Sequence, residues 1–582
     1  MRKSIGLAFA LLLTFAAFAL TQKSSAQKSS RLAIANGQVI VKLKAATRPL
    51  TIDATNDQLF AVAQGVGSET GWLREATTDA IEPLLPATSQ ANDFIAEHGF
   101  DRVFVMKFDP QADLEEIINR LKANASVEYA EPNIPLVVGG VIPDDPGFGE
   151  QWALRNLGLG VFGFPSTLDA DIKATQAWEI TEGSANVLIA VTDTGLDITH
   201  PDLAPNVYTN PREIPANNLD DDNNGYVDDV HGANIPEKNG DVSDVFGHGT
   251  QMSGIIAAKL NNTVGISGMS QSKLVPVKFF KRVGPGPNDI EVTIADAARA
   301  ILYSINIGAD IINASWSSGI ATLSDDEVQT LQSAVTASAE AGVLFVTIAG
   351  NEGYDIDTRN YYPAKFRLPN QIVVAASQYN DEMWHPPNVP GRILSGFGKA
   401  SVDLTAPGMT IFTTAAHGSC AACVAVDDPT VWYNTIDGTS AAAAYVSGVA
   451  ALIKSRFNDA NHIIIKRRIL ESVDVRDSLQ PFVITGGRLN AHRALTMELT
   501  ITPPVLTKLK IKPNGKTFII GERMQDGATL IIGSKSYPAR FKNGDFSRLV
   551  TSIPSAELPT GTFQAKFRNP DGGESNVISI TR

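Results

Sequence analysis

Cysteine is nearly missing from this 582-residue chain: Cys420 and Cys423 are the only two, too few for a disulfide framework. A basic excess is missing as well. Lys and Arg number 48 against 62 Asp and Glu, a formal charge of −14, and such an acidic body argues against a nucleic-acid partner. No apolar run reaches the roughly 20 residues that a membrane-spanning helix needs. What is present is an ordinary globular balance, 43% hydrophobic and 19% charged with 47 Gly and 32 Pro, which is neither disordered nor collagenous. At about 100 to 200 residues per domain, the length predicts three or four domains.

Arg2 and Lys3 precede an apolar run from Ile5 to Leu20, and Ser24 and Ala26 supply small residues for a cut after Ala26. This pattern predicts a signal peptide over residues 1–26 and a secreted protein that works outside the cytoplasm, where calcium is available to weak oxygen-ligand sites.

Four regions differ in texture. Residues 38–137 hold an alternating strand at Gln38 to Leu43, a second at Arg102 to Phe108, and a strand-like Ser126 to Ala130. A helix from Asp113 to Lys122 turns Leu114, Ile117, Ile118 and Leu121 to one face, which makes this a small α+β unit. Gly139, Gly140, Pro143 and Pro146 mark a linker. From 142 to 497, apolar runs alternate with helical stretches. The runs Val187 to Val191, Leu274 to Phe280, Ile311 to Ala314, Val343 to Ala349 and Ile372 to Ala376 are continuous, as strands buried on both faces of a parallel sheet require. Helices are expected at Gly249 to Leu260, Ile294 to Ile307, Val328 to Ala341, Thr439 to Phe457 and Ile463 to Val473. The expected fold class is therefore α/β, a mostly parallel sheet with helices on both faces. Residues 503–582 carry short β-like runs broken by Pro513-Asn514-Gly515 and Pro570-Asp571-Gly572-Gly573, the spacing of a small β-sandwich. Residues 500 to 582 hold 12 Lys/Arg against 6 Asp/Glu, so this tail is +6 and the rest of the chain −20. An acidic polymer would suit such a tail, but a solvated face is the stronger reading.

Three short motifs carry the chemistry. Asp193-Thr194-Gly195 ends an apolar strand, where a carboxylate faces the crevice in which such sheets bind ligands. Gly247-His248-Gly249-Thr250 opens a helix, and of eight histidines His248 alone stands between two glycines at a helix start. Gly438-Thr439-Ser440-Ala441 opens an alanine-rich helix, where the Ser440 N–H is free to bind an anion. Singly, the first and third read as a turn or a cap, and a glycine-flanked His as a metal ligand or a surface residue. Together they supply what nucleophilic catalysis needs: an alcohol, an imidazole to take its proton and a carboxylate to fix the imidazole tautomer. Asn351, just past the Val343 to Ala349 strand, is placed to donate to a developing oxyanion.

With these motifs, the middle of the chain resembles the subtilisin-like serine peptidases, the subtilases. The likeness extends through His200-Pro201-Asp202-Leu203, Leu260-Asn261-Asn262-Thr263-Val264-Gly265-Ile266, Ile312-Asn313-Ala314-Ser315-Trp316, Ala349-Gly350-Asn351 and Ala406-Pro407-Gly408, about 350 residues in all. It implies a serine endopeptidase in which Asp193 orients, His248 is general base then acid, Ser440 is the nucleophile, and Asn351 with the Ser440 N–H forms the oxyanion hole. It also implies substrate-binding walls at Ser315, Trp316, Ser317, Ala349, Gly350 and Glu352. The sequence departs from the family at Gln251, usually His, at Ala441, usually Met, and at Ala444, usually Pro. Ser317 and Ser318 replace glycines that usually line the specificity pocket, which predicts a narrower one; Glu352 at its rim suggests a basic substrate residue.

Between the Asp and His motifs, Asp220, Asp222 and Asn224 follow the 1, 3, 5 spacing of an EF-hand-type calcium loop, with Gly225 at the sharp turn. Position 12 is His231 rather than Glu, so closure falls to Asp228 or Asp229; the expected ligand set is Asp220, Asp222, Asn224, Tyr226, Asp228 and Asp229. The resemblance implies a second calcium site at Asp145, Asp202 and Asn262 with the carbonyls of Leu260, Val264 and Ile266. The 38–137 unit resembles subtilase propeptides through Ser126-Val127-Glu128-Tyr129-Ala130-Glu131-Pro132-Asn133, implying an inhibitor cut away between Asn133 and Asp144. The tail resembles TIG/IPT immunoglobulin-like sandwiches through Phe567 to Asn576. Cys420 and Cys423 predict a local disulfide ahead of free thiols or zinc. Partners are then protein or peptide substrates and the chain's own propeptide, with no membrane span and a monomeric state. Two rivals fare worse. An α/β-hydrolase esterase needs Gly-x-Ser-x-Gly and a later acid and base, and a silent binding protein would have lost a triad residue.

Overall fold

The computed structural model describes residues 38–44, 81–84, 98–108, 114–124, 127–133 and 140–582, apart from 162, 245, 285–289, 319–322, 387–391, 418–431, 501, 526 and 543–544. The expected signal peptide 1–26, Gly139 of the linker, and Cys420 and Cys423 lie outside these residues. Two compact units divide the chain, Met1–Val138 with Leu157–Gly160, and Gly139–Asn156 with Val161–Arg582.

In the first unit, strand Gln38–Leu43 alternates strictly and buries Val39, Val41 and Leu43. It lies between Val103–Lys107 and Val127–Pro132, and Ile81–Pro83 completes a four-stranded antiparallel sheet at the edge. That edge strand was not foreseen: it is three residues long and ends in proline, which sheets tolerate at their edges. Helix Leu114–Ala123 adds Ile117, Ile118 and Leu121 to the core against Phe104, Met106 and Val127. The Leu114 side chain, expected on the same face, is outside the described residues.

The second unit is built on a nine-stranded sheet. Its strands are β1 (Leu188–Asp193), β2 (Ala233–Asn234), β3 (Lys273–Lys278), β4 (Ile311–Ala314), β5 (Leu344–Ile348), β6 (Gln371–Ser377), β7 (Leu404–Pro407), β8 (Asp474–Val475) and β9 (Gly487–Arg488). In space they run β8-β9-β7-β6-β5-β4-β1-β3-β2, all parallel except the β8–β9 pair. Strands β4, β5 and β6 are buried at every residue, which is why their sequences show no alternation.

Helices cover both faces. On one, α1 (His248–Ala257), α4 (Thr439–Arg456) and α5 (His462–Glu471) pack against Ile189, Val191, Ile311, Val346 and Val374. On the other, α2 (Ile294–Asn306) and α3 (Gln329–Glu340) cover Ala190, Val275, Val277, Ile312 and Phe345. The alternate side chains of one strand thus feed two cores. Helix α4 is buried on all sides from Thr439 to Ile453, and its small residues Ala441 to Ala444 let it lie close to the sheet. The fold is α/β with a mostly parallel sheet, as the continuous apolar runs predicted.

Beyond residue 504, two four-stranded antiparallel sheets share one core of Leu506, Ile519, Leu530, Leu549 and Phe567. One contains Val505–Ile511, Lys516–Glu522, Asp545–Ser552 and Arg540–Lys542, the other Lys535–Pro538, Thr529–Ile532, Thr562–Arg568 and Ile578–Thr581. Arg467 on α5 ties them to the α/β body, donating to Asp571 Oδ2 at 3.0 Å and to the Thr500 carbonyl at 2.9 Å. Among the described residues no helix is long and apolar enough to cross a membrane.

Candidate active site

Asp193 is the last residue of β1 and is buried, and both its carboxylate oxygens lie 2.9 Å from His248 Nδ1. His248 is the first residue of α1. Gly249 makes this approach possible, because a Cβ there would stand 2.0 Å from the Gly195 carbonyl oxygen. Burial works against a charged His248, but the Asp193 charge and hydrogen bond, with the Asp244 charge behind them, outweigh it and hold the imidazole pKa above the ordinary histidine value. Nδ1 is therefore the protonated nitrogen, and Nε2 makes no hydrogen bond among the described residues.

Asp244 carried no sequence signal, yet it holds this pair together. It is buried, and its Oδ1 accepts from Thr194 Oγ1 (2.8 Å), Phe246 N (3.0 Å) and Gly247 N (2.7 Å). Its Oδ2 accepts from Thr250 N (2.9 Å) and Thr250 Oγ1 (2.6 Å). Thr194 Oγ1 in turn accepts from Gly249 N at 2.9 Å. One carboxylate so fastens the residue after Asp193 to both sides of His248, and it places negative charge at a helix N-terminus, where charge of that sign is favoured.

Ser440 is the second residue of α4, so its backbone N–H has no partner within the helix. Its Oγ donates to the Ser315 carbonyl at 3.3 Å, and Ser315 Oγ donates back to the Ser440 carbonyl at 3.1 Å. Ser440 Oγ does not hydrogen-bond to His248 in this arrangement. Asn351, after β5, has its Oδ1 fixed by Thr439 N at 2.9 Å and Thr439 Oγ1 at 2.8 Å. That orientation leaves Nδ2 as an uncommitted donor beside the head of α4. Asp193 ends β1, and Ser315 and Asn351 follow the carboxyl ends of β4 and β5, adjacent strands along whose edge open α/β sheets bind ligands.

The sequence pattern of the subtilase family, Peptidase S8, matches residues 184–493. The chain belongs to the subtilase family. It is similar to a thermophilic serine proteinase of Bacillus sp. (strain AK1), 29% identical over 386 residues, covering 66% of this chain and 76% of that protein. It is also similar to thermitase of Thermoactinomyces vulgaris, 31% identical over 325 residues, covering 56% of this chain and 93% of that protein. Subtilisin-like protease 1 of Plasmodium berghei is 31% identical over 327 residues, covering 53% of this chain and 49% of that protein. This subtilase is a serine-type endopeptidase, and its substrates are proteins.

In this subtilase the expected substrate walls follow strands β4 and β5. Ser315 touches Ser440 directly, and Trp316 is fixed by a 3.0 Å bond from Nε1 to Thr192 Oγ1. Ser317 Oγ donates to the Tyr361 hydroxyl at 2.7 Å, and Glu352 Oε2 accepts from Asn351 N at 3.0 Å. Ala349 is buried, and Gly350 has φ of 100°, a conformation that suits glycine. The three departures stay behind the site. Gln251 Nε2 donates to Asn434 Oδ1 at 3.0 Å, while Ala441 and Ala444 are core residues.

Around the acidic loop, the structure gathers Asp220 and Asp222 with Glu213, within 4.8 Å of one another. Glu213 was missed, because a single glutamate in an irregular stretch seven residues before the loop has no distinguishing pattern. Asn224 lies in the same turn, its N–H donating to Asp220 Oδ1 at 2.9 Å and its Oδ1 accepting from Tyr226 N at 2.9 Å. Asp228 and Asp229 are not part of the gathered group. Asp228 accepts from Asn217 N and Asn218 N, and Asp229 Oδ2 accepts from Tyr303 OH and Asn224 Nδ2. At the second expected site, Asn262 joins the two aspartates: its N–H donates to Asp145 Oδ1 at 2.9 Å and its Nδ2 to Asp202 Oδ1 at 2.8 Å. Burial pushes Asp202 up to about 6, against the bonds from Ile266 and Asn262, and the Asp145 charge adds to the push.

Proposed function

We propose that this subtilase is exported by a signal peptide at residues 1–26, is held inactive by residues 38–137 as a propeptide, and works after processing as a monomeric, calcium-stabilised endopeptidase. The peptidase domain is residues 142–497, and residues 503–582 form a TIG/IPT-like β-sandwich. The observation that carries the catalytic reading is the doubly close Asp193–His248 bond beside a serine at a helix head and an asparagine with its amide donor free.

The reaction follows from those groups. Ser440 Oγ turns from the Ser315 carbonyl to His248 Nε2, gives up its proton there and attacks the scissile carbonyl carbon. Asp193 fixes the proton on Nδ1 and stabilises the imidazolium. The oxygen that becomes negative receives hydrogen bonds from Asn351 Nδ2 and the Ser440 N–H. Collapse breaks the C–N bond as His248 returns the proton to the leaving amine. Water, deprotonated by the same nitrogen, then hydrolyses the ester to free the acid and restore Ser440.

Calcium suits the acidic loop because its three carboxylates face a single cation among the described residues, Arg212, 3.2 Å from Asp222 Oδ2. Glu213 is 6% exposed, and its Oε2 has no hydrogen-bond partner among the described residues. Glu213, Asp220 and Asp222 would hold the ion with oxygens of Asn224 and Tyr226; Asp145, Asp202 and Asn262 would hold a second. The metal would supply stability by binding only the folded chain.

A fluorophosphonate probe tests the catalytic reading. The processed protein should hydrolyse casein and carry the label on Ser440, while Ser440→Ala should lose both and keep its propeptide attached. A label on another residue, or full activity in Ser440→Ala, would overturn it.

A further inference from the structure

The side chain that precedes a scissile bond must lie close to the attacking oxygen, because its Cα is bonded to the carbon that Ser440 Oγ attacks. Two segments stand beside Ser440 at the sheet edge: Ser315 to Ser318 after β4, and Ala349 to Glu352 after β5. Between them one ring is already lodged. Tyr361 is 3% exposed, accepts a 2.7 Å hydrogen bond from Ser317 Oγ, and lies so near the other segment that a Cβ on Gly350 would meet its hydroxyl at 2.3 Å. Glu352 closes the arrangement, its Oε2 standing 2.8 Å from that same Cβ position.

We propose that Tyr361 is a specificity-determining residue that fills the crevice for the side chain before the cut, so that this subtilase cleaves after Gly, Ala and Ser and rejects Phe, Leu and Lys. This rests on Ser440 as the nucleophile. The phenol cannot swing aside without leaving Ser317 and the buried cluster it shares with Ala349, Ile356, Ala364 and Val373. Burial, opposed by the Ser317 bond and reinforced by the charge and hydrogen bond of Glu352, keeps the hydroxyl protonated through the working range. The Glu352 carboxylate accepts from Tyr361 and from the Asn351 N–H and so braces the ring, whose size limit excludes Lys along with Phe and Leu.

The test is kcat/KM on peptides differing only at the residue before the cut, with processed enzyme whose active sites are counted by the fluorophosphonate. Ala should exceed Phe and Leu by at least about tenfold, since a side chain that does not fit costs at least that much. Tyr361→Ala and Tyr361→Gly should raise Phe and Leu relative to Ala by a similar factor, and Tyr361→Phe should keep the small preference. Phe or Leu matching Ala in the unmodified enzyme overturns the proposal whether or not the variants fold, as does an unchanged ratio in a folded Tyr361→Ala. Enzyme that takes no label at Ser440 instead refutes the catalytic assignment, which separates the two failures.

Discussion

Replacing Asp244 by Asn probes how the Asp193–His248 pair is held. The amide keeps one acceptor for Thr194 Oγ1, Phe246 N and Gly247 N, but puts an NH2 where Oδ2 received Thr250 N and Thr250 Oγ1. The hydroxyl can reverse; the Thr250 N–H cannot, and a buried unsatisfied donor costs about 1–3 kcal/mol. Loss of a carboxylate at the helix N-terminus adds about 0.3–1 kcal/mol. The total, about 1–4 kcal/mol, should lower the melting temperature by roughly 2–5 °C for a domain of this size. A second effect has a definite sign. Asp244 is one of the charges that raise His248, so its neutralisation lowers that pKa. Catalysis needs neutral Nε2 and fails as pH falls through the His248 pKa, so the acid limb of kcat/KM should move to lower pH in Asp244→Asn. Calorimetry and a pH–rate profile on the processed enzyme check both. An unchanged melt, or an acid limb that stays put or moves up, would refute the assignment of Asp244 as a positioning residue.

Three further outcomes follow from the site. Asn351→Ala should lower kcat by about 10²–10³ with little change in KM, a magnitude carried over from a subtilisin of the same family, because Nδ2 acts on charge that exists only in the transition state; single-turnover kinetics with an ester substrate would reveal a smaller loss. Chelation should lower the melting temperature of the unmodified protein, as a ligand at about 100 times its Kd contributes about 2.7 kcal/mol. Glu213→Gln should be stable in chelator and gain much less from added calcium, and an equal gain in both proteins would remove Glu213 from the ligand set.

The parallel sheet was legible because burial on both faces writes itself as an uninterrupted apolar run: Ile311 to Ala314 was read to the residue, and Val343 to Ala349 overran strand β5 by one at each end. The short strands β7, β8 and β9 left no such run. Asp193, His248, Asn351 and Ser440 could be found because each stands at an element end in a distinctive glycine-rich setting. Tyr361, Asp244 and Glu213 could not. A tyrosine in Asn360-Tyr361-Tyr362-Pro363 reads as core, and only the folded chain brings it to Ser317, 44 residues away. Asp244 and Glu213 have ordinary neighbours in sequence, and their importance lies in donors and carboxylates that converge from other segments.

Helix α4 has a consequence for timing. Its buried length seals the core over β1, β4, β5 and β6, and it carries Ser440, while the carboxylate and imidazole belong to a much earlier stretch of the chain. A ribosome-bound fragment that stops short of Thr439 has neither the lid of that core nor the alcohol that attacks. Destructive capacity therefore arrives only with the last large helix, and unfinished copies cannot digest their siblings.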